Sequence, residues 1–258
     1  MRTIITGAAS GIGSALASRL ASKPGAKLLL TDRDTAALED VAQSLAGHAE
    51  VVTFAGDLAE VSTAAAIVAH CVGTYGGVDA IASNAGAMKG MPLEELEPGD
   101  FDFLFRVNTR PTWLLGRAAL PWLKESRGAI VATASLAAEH ATPPLGTYSA
   151  SKAALVMLIR QMALEWGRYS IRCNAVSPGP TLTAMSAEGY ADPTRRRERE
   201  QATPLRQLGT TDHSAAAIAF LLGPDAAHIT GQNLTVDGGL GQALMVLSGS
   251  GTGQNQPG

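Results

Sequence analysis

The chain has 258 residues, of which 46% are hydrophobic and 17% charged, and its formal net charge is −3. This length and apolar content suit one α/β domain with a sizeable core. The small net charge gives no general attraction to nucleic acid or to an anionic membrane surface. No apolar run approaches the ~18 residues of a membrane span, and the sequence shows no signal peptide. The two cysteines belong to no His or Cys cluster, so no metal site is predicted. We therefore expect a cytoplasmic protein that binds neither nucleic acid nor membrane.

Short apolar runs alternate with helical patterns along the chain, which is typical of repeated βα units in a parallel sheet. The predicted strands are 3–6, 28–31, 51–54, 78–82, 129–133, 171–176 and 233–236. The predicted helices are 11–22, 35–45, 62–75, 101–124, 148–169 and 215–222. Together they predict a single α/β domain, residues 1–247, with a doubly wound parallel seven-stranded sheet and helices on both faces.

Two polar segments stand out near the C-terminus. Four arginines, at positions 195, 196, 197 and 199, form a basic run that Glu198 and Glu200 interrupt. We interpret the run as a solvated helix face, and a contact with an anion or an acyl carrier is the alternative. Residues 248–258 are rich in Gly, Ser and Gln and poor in apolar side chains, so they are predicted to form a flexible tail.

Three glycines mark a candidate cofactor site, because Gly7, Gly11 and Gly13 follow a predicted strand and open a predicted helix. Glycines there let the backbone turn tightly and bring a pyrophosphate against the helix N-terminus, where N–H groups favour an anion. Asp32 ends the second strand about 20 residues further on, where a carboxylate binds the adenosine ribose and repels a 2′-phosphate. The pattern predicts NAD rather than NADP, although Arg33 could pair with such a phosphate.

A second motif carries acid–base chemistry. Tyr148 and Lys152 are four residues apart and lie on one face of a predicted helix, 13 residues after Ser135. A nearby ammonium favours the phenolate and is expected to lower the Tyr148 pKa. Such a phenol is suited to proton transfer between an alcohol and a carbonyl. The pair alone also occurs by chance on exposed helix faces, and the glycine motif is what favours the catalytic interpretation.

Taken in order, these motifs resemble those of the classical short-chain dehydrogenase/reductase family, over residues 1–240. The glycine motif reads Thr6-Gly7-x-x-x-Gly11-x-Gly13, and the acid–base motif reads Tyr148-x-x-x-Lys152. The further motifs are Asp57-Leu58, Asn84-Ala85-Gly86, Val107-Asn108, Ala134-Ser135, the segment from Asn174 to Pro180 with Thr183, and Val236-Asp237-Gly238-Gly239. Ser83 departs from the pattern, since the family more often has a second Asn there.

The resemblance implies a Rossmann fold and hydride transfer between a secondary alcohol or ketone and a nicotinamide cofactor. Tyr148 would exchange the hydroxyl proton, and Ser135 would hydrogen-bond the reacting oxygen. Lys152 would lower the Tyr148 pKa and hold the nicotinamide ribose. Asn108 would hold a water that links Lys152 to solvent, which completes a predicted catalytic set of four residues.

The resemblance also implies a set of cofactor contacts. They are Gly7, Ser10, Gly11, Ile12, Gly13, Asp32, Arg33, Asp57, Leu58, Asn84, Ala85, Gly86, Tyr148, Lys152, Pro178, Gly179, Thr181 and Thr183.

The segment 184–205 is expected to cover the small-molecule substrate. An apolar wall is suggested by Leu136, Ala137, Pro144 and Pro180. Helices 101–124 and 148–169, with Trp113, Trp122 and Trp166, would pair subunits into a homotetramer or a homodimer.

Two other functions stay open on the sequence. One is an NADPH-dependent 3-ketoacyl reductase of fatty-acid synthesis, which would favour a neutral residue at position 32 and a basic surface for an acyl carrier. The other is a non-catalytic NAD-binding or regulatory protein, which the presence of Ser135, Tyr148 and Lys152 disfavours.

Overall fold

The structure, a computed structural model, describes residues 1–183 and 186–248. Its strands are β1 (Arg2–Thr6), β2 (Lys27–Asp32), β3 (Glu50–Ala55), β4 (Ala80–Ser83), β5 (Ala129–Thr133), β6 (Arg172–Pro178) and β7 (Asn233–Val236). They form one parallel sheet in the order β3-β2-β1-β4-β5-β6-β7. The predicted parallel seven-stranded sheet is therefore confirmed, with strand ends that differ from the predicted ones by at most two residues.

Helices cover both faces of this sheet. They are α1 (Gly11–Ala21), α2 (Thr35–Ser44), α3 (Val61–Tyr75), α4 (Pro98–Asn108), α5 (Arg110–Ser126), α6 (Thr147–Trp166), α7 (Pro193–Ala202), α8 (Thr211–Leu222) and α9 (Leu244–Leu247). Successive strand residues point to opposite faces. Ile4 of β1 packs in one core with α3, α5 and α6, whereas Ile5 packs in a second core with α1, α2 and α8. This two-sided burial confirms the Rossmann-type fold.

The predicted continuous helix 101–124 is wrong, because α4 and α5 are separate helices that meet at Thr109. Pro111 lies in the first turn of α5 and has no N–H to donate to the carbonyl four residues earlier, so the hydrogen-bond ladder of α4 cannot continue. Thr109 accordingly has φ −115°, away from the helical value. The break ends α4 at Asn108, one of the predicted catalytic residues.

The C-terminal part of the described chain contains the basic run on α7. Its four arginines are exposed on this helix, which agrees with the predicted helix face and leaves the alternative of an anion contact open. The short apolar helix α9 was not predicted, and only Ser248 of the predicted tail lies within the described residues.

Trp166 is buried in the core and is not available for the predicted subunit contact. Within residues 1–183 and 186–248, no helix has both the length and the apolar character needed to cross a membrane.

Candidate active site

A cavity of about 450 Å³ opens at the carboxyl ends of the strands, which is where open α/β sheets bind ligands. Its wall contains most of the predicted site residues: Gly7, Ser10, Gly11, Ile12, Asp32, Arg33, Asp57, Leu58, Asn84, Ala85, Gly86, Ser135, Tyr148, Lys152, Pro178, Gly179, Thr181 and Thr183. Gly13 and Asn108 are the predicted site residues outside this wall. The fold therefore brings the glycine motif and the acid–base motif, which are far apart in sequence, to one cavity.

The glycine turn between β1 and α1 has the shape that a phosphate group requires. Gly7 and Gly11 have φ +65° and +57°, a backbone region that other residues adopt only with strain. A side-chain carbon placed on Gly11 would meet nothing nearer than Thr183, at 3.9 Å, so Gly11 leaves space on the cavity side. A side-chain carbon on Gly13 would overlap the carbonyl oxygen of Gly7, so Gly13 is needed for close packing of the turn against α1. The Ser10 side chain does not cap the helix. The turn therefore fits a pyrophosphate at the start of α1.

Asp32 and Arg33 lie side by side in the cavity wall, at the end of β2. The Asp32 carboxylate accepts hydrogen bonds from the backbone N–H groups of Ala9 (3.1 Å), Arg33 (2.7 Å) and Asp34 (3.3 Å). A carboxylate offers about four acceptor positions, so these bonds orient Asp32 and leave it able to accept from a ligand hydroxyl. The exposed Arg33 side chain is the nearest candidate for a competing phosphate contact.

A hydrogen-bond network joins the two halves of the cavity through Asn84. The backbone N–H of Asn84 donates to Thr6 Oγ1 (2.9 Å), and its side-chain Nδ2 donates to the carbonyl oxygen of Gly7 (3.3 Å). Thr133 Oγ1 donates to Asn84 Oδ1 (2.9 Å), and the Thr133 carbonyl oxygen accepts from Lys152 Nζ (2.8 Å). These hydrogen bonds thus connect the glycine turn to the Lys152 ammonium and fix their relative positions. Thr133 was not among the predicted site residues.

Tyr148 and Lys152 are both buried in the cavity wall, with 9% and 3% of their surfaces exposed. Burial raises the pKa of the Tyr148 phenol above its ordinary value, and a hydrogen bond with Ser135 acts in the opposite direction. Burial lowers the pKa of Lys152 to about 8. The Lys152 ammonium lies 5.8 Å from the centre of the Tyr148 ring. The Tyr148 pKa is thus shifted in the direction opposite to the predicted one, because the loss of solvation outweighs the hydrogen bond with Ser135.

The Asn108 side chain is fixed at the end of α4. Its Oδ1 accepts from the N–H of Ala87 (2.8 Å), and its Nδ2 donates to the carbonyl oxygen of Ala87 (3.0 Å) and to Ser151 Oγ (3.0 Å). A side-chain carbon placed on Gly86 would lie 3.0 Å from Asn108 Oδ1 and 3.2 Å from Lys152 Nζ. Asn108 therefore approaches Lys152 across the space that Gly86 leaves open.

Ser83, which departs from the family pattern, is satisfied locally. Its hydroxyl is buried and shares a hydrogen bond of 2.8 Å with the hydroxyl of Thr112 on α5. The shorter side chain at position 83 thus keeps a polar link between β4 and α5.

The apolar part of the cavity differs from the predicted one. It is lined by Met88, Phe103, Leu145 and Tyr190, and none of the four predicted wall residues, Leu136, Ala137, Pro144 and Pro180, belongs to the described lining. Leu136 instead packs near Gly241, beside the chain that follows β7. Tyr190 and Ser186 bring the segment after β6 into the wall. Only the general position of this segment was predicted.

Known proteins resemble this chain in sequence and in fold. A family model described as "Enoyl-(Acyl carrier protein) reductase" matches residues 7–241. Glucose 1-dehydrogenase of Gluconobacter oxydans is 33% identical over 93% of this chain and 91% of the relative. Dehydrogenase/reductase SDR family member 4 of Bos taurus is 33% identical over 92% of this chain and 85% of the relative. The crystal structure of levodione reductase superimposes with a TM-score of 0.88, at 33% identity over 93% of this chain and 97% of that chain.

This chain belongs to the short-chain dehydrogenase/reductase family. It is accordingly an oxidoreductase that uses a nicotinamide cofactor and acts on alcohols or ketones. The glycine turn, which leaves room for a pyrophosphate, is consistent with that cofactor.

Proposed function

We propose that the protein is an NAD-dependent dehydrogenase of secondary alcohols that can also reduce the corresponding ketones. The main support for this proposal is that a single cavity has Asp32 at one end and Ser135, Tyr148 and Lys152 at the other. A carboxylate at the end of β2 favours a ribose with free hydroxyls. A buried phenol beside a serine and a lysine supplies the proton transfer.

The cofactor would be held along the carboxyl edge of the sheet. Residues of the glycine turn would bind the pyrophosphate, Asp32 the adenosine ribose, and Asp57 and Leu58 the adenine. Asn84, Ala85 and Gly86 would line the ribose side, and Pro178, Gly179, Thr181 and Thr183 would flank the nicotinamide. When bound, the nicotinamide supplies or accepts the hydride.

The residues of the chain handle the proton and the reacting oxygen. Ser135 hydrogen-bonds the oxygen of the substrate, and Tyr148 takes the hydroxyl proton in oxidation or gives a proton to the ketone oxygen in reduction. The raised pKa of Tyr148 keeps the phenol of the free protein protonated near neutral pH, which suits donation. A cationic Lys152 favours the phenolate once that proton leaves. Asn108 would hold a water that passes the proton between Lys152 and solvent, outward in oxidation and inward in reduction.

Calorimetric titration of NAD and of NADP into the purified protein tests the cofactor assignment. We expect NAD to bind at least ten times more tightly, a difference of about 1.4 kcal/mol. Tighter binding of NADP would mean that Arg33 dominates Asp32, and binding of neither would contradict the proposal.

The role of Tyr148 is tested with Tyr148→Phe. Removing the hydroxyl should lower kcat by about 10²–10⁴-fold while calorimetry still detects NAD binding. Tyr169→Phe is the matched control, since Tyr169 does not belong to the described cavity lining and lies beside Lys124 and Arg168. Equal kcat values for the Tyr148 variant and the unchanged protein would exclude Tyr148 as the acid–base residue.

A second candidate, an NADPH-dependent 3-ketoacyl reductase, is favoured by one observation, the presence of Arg33 in the cavity wall. It predicts NADP preference and rapid reduction of a 3-ketoacyl thioester. The same cofactor titration separates it from the main proposal.

Assembly and location also stay proposals. We propose that α5 and α6 pair subunits into a homotetramer or a homodimer, because Trp113, Met157 and Leu164 on these helices are 39%, 59% and 82% exposed. Light scattering on the eluting protein measures the mass directly, and a monomer would contradict it. Residues 184–205 are proposed to cover the substrate, and a cytoplasmic location stays a prediction.

A further inference from the structure

Helix α7 carries four exposed arginines, and their surroundings differ. Arg195 pairs with Asp192 (3.7 Å), and Arg196 pairs with Glu200 (2.9 Å). Arg197 donates to the carbonyl oxygen of Pro193 on its own helix (3.5 Å). The ion pairs of the described side chains do not include Arg199. Among the described side chains, no carboxylate pairs with Arg199, whereas two of its neighbours are paired.

Arg199 lies beside the cavity through Tyr190. The Arg199 guanidinium is 5.8 Å from the centre of the Tyr190 ring, a cation–π distance. The Tyr190 ring is half-buried and forms part of the cavity wall. Arg199 therefore lies next to a residue of the cavity wall.

The backbone that carries Arg199 is fixed. The N–H and the hydroxyl of Thr203 both donate to the carbonyl oxygen of Arg199, at 3.1 and 2.8 Å. Thr203 is buried and packs against Gly238, just after β7, and the N–H of Leu205 donates to the carbonyl oxygen of Gly238 (3.2 Å). The end of α7 is therefore tied to the sheet, and Arg199 is presented from a defined position.

The carboxylates of the cavity wall lie away from the reacting end. Among the residues that line the described cavity, the carboxylates are Asp32 and Asp57, which follow β2 and β3. Ser135 follows β5, three strand spacings from β2 in the sheet, which is roughly 14 Å. Neither carboxylate is placed to repel a negative group near the reacting end.

We infer that the substrate is an organic acid whose carboxylate binds Arg199 while its carbinol carbon lies at Tyr148. The arginine fork binds both carboxylate oxygens, and the side chains of Met88, Phe103 and Leu145 contact the carbon chain between the two groups. This inference rests on the proposed dehydrogenase function and narrows its substrate class.

The test uses three secondary alcohols of increasing length, 3-hydroxybutyrate, 5-hydroxyhexanoate and 7-hydroxyoctanoate, each paired with its primary amide. Steady-state kcat/KM is measured for every acid and amide with saturating NAD. We expect at least one acid to exceed its amide about tenfold or more, as for a hydrogen-bonded charge. Arg199→Met should lower that acid-to-amide ratio about tenfold, mainly through KM, and Arg199→Lys should restore part of it.

Arg197→Met is the matched control, since it removes one charge from the same helix at a side chain bonded to Pro193; its ratio should equal that of the unchanged protein. Ratios near one for all three pairs, or an equal loss in Arg197→Met, would overturn the inference and leave the dehydrogenase proposal intact. No turnover of acids and amides alike, with NAD still bound, would overturn the inference alone. Absence of NAD binding to the unchanged protein would overturn the proposed function and the inference with it.

Discussion

Lys152 is a buried cation, and its burial should destabilise the free protein in a pH-dependent way. Burial lowers its pKa from 10.5 to about 8, whereas an unfolded chain exposes it at the ordinary value. Between those two pH values the unfolded state binds more protons than the folded state, so the free energy of unfolding rises with pH. Below about pH 8 both states are charged and the full cost is present. The difference of about 2.5 pH units corresponds to roughly 3 kcal/mol.

Lys152→Met removes this buried cation, and urea unfolding compares the variant with the unchanged protein, both without cofactor, from pH 7 to pH 10.5. We expect the free energy of unfolding of the variant, relative to the unchanged protein, to fall by roughly 3 kcal/mol as the pH rises through this window. Other groups that titrate here, such as Cys71 and Tyr75 with their raised pKa values, are present in both proteins and cancel. The relative value also removes any pH-independent change in packing or in the bond to Thr133.

Lys23→Met is the control for the loss of a lysine at an exposed position. A stability difference between Lys152→Met and the unchanged protein that stays constant from pH 7 to pH 10.5 would contradict a destabilising burial of the ammonium. It would mean that the contacts of the Lys152 ammonium in the folded protein stabilise the charge as strongly as water does in the unfolded chain.

Three further predictions concern the turn, the cofactor and the Lys152 environment. Gly13→Ala should destabilise the fold by several kcal/mol in urea unfolding, because the new methyl group overlaps the Gly7 carbonyl. Gly73→Ala, with open space on α3, should instead stabilise the fold by up to about 1 kcal/mol. Similar effects of the two substitutions would contradict the packing role of Gly13. Asp32→Ala should weaken NAD binding about tenfold or more and NADP binding less, and calorimetry that finds equal losses would remove the selective role of the carboxylate. Gly86→Ala places a methyl group 3.0 Å from Asn108 Oδ1 and 3.2 Å from Lys152 Nζ. We expect kcat to fall about tenfold, which corresponds to about 1.4 kcal/mol of activation free energy. An unchanged kcat would show that catalysis does not depend on the space between Asn108 and Lys152.

Buried strands were the part of the fold most readily predicted from the sequence. Strand β5 coincides with the predicted 129–133 because a strand covered on both faces is a continuous apolar run between turns. The glycine turn was predictable for a related reason, since Gly7 and Gly11 adopt positive φ values that few other residues tolerate.

Electrostatic properties of the site were less predictable. The spacing of Tyr148 and Lys152 correctly indicated that the two side chains share a helix face, but not that both would be buried. The spacing of two residues in the sequence tells in which direction their side chains point around the helix axis. Their pKa values depend instead on how much water the surrounding helices and strands exclude. The partner of Lys152 could not be found either, because it is the backbone carbonyl of Thr133, and any residue type supplies a carbonyl.

The break between α4 and α5 shows how a missed local signal affects the site. In a continuous helix, neighbouring side chains point about 100° apart, so residues 108 and 109 would point in different directions. At the break, Asn108 Nδ2 donates to Ser151 Oγ (3.0 Å), and Thr109 Oγ1 donates to the carbonyl oxygen of Ser151 (2.8 Å). Both bonds fix α4 against the turn of α6 that carries Lys152. Pro111, by ending the α4 hydrogen-bond ladder, is therefore the residue in the sequence that positions Asn108 beside the lysine.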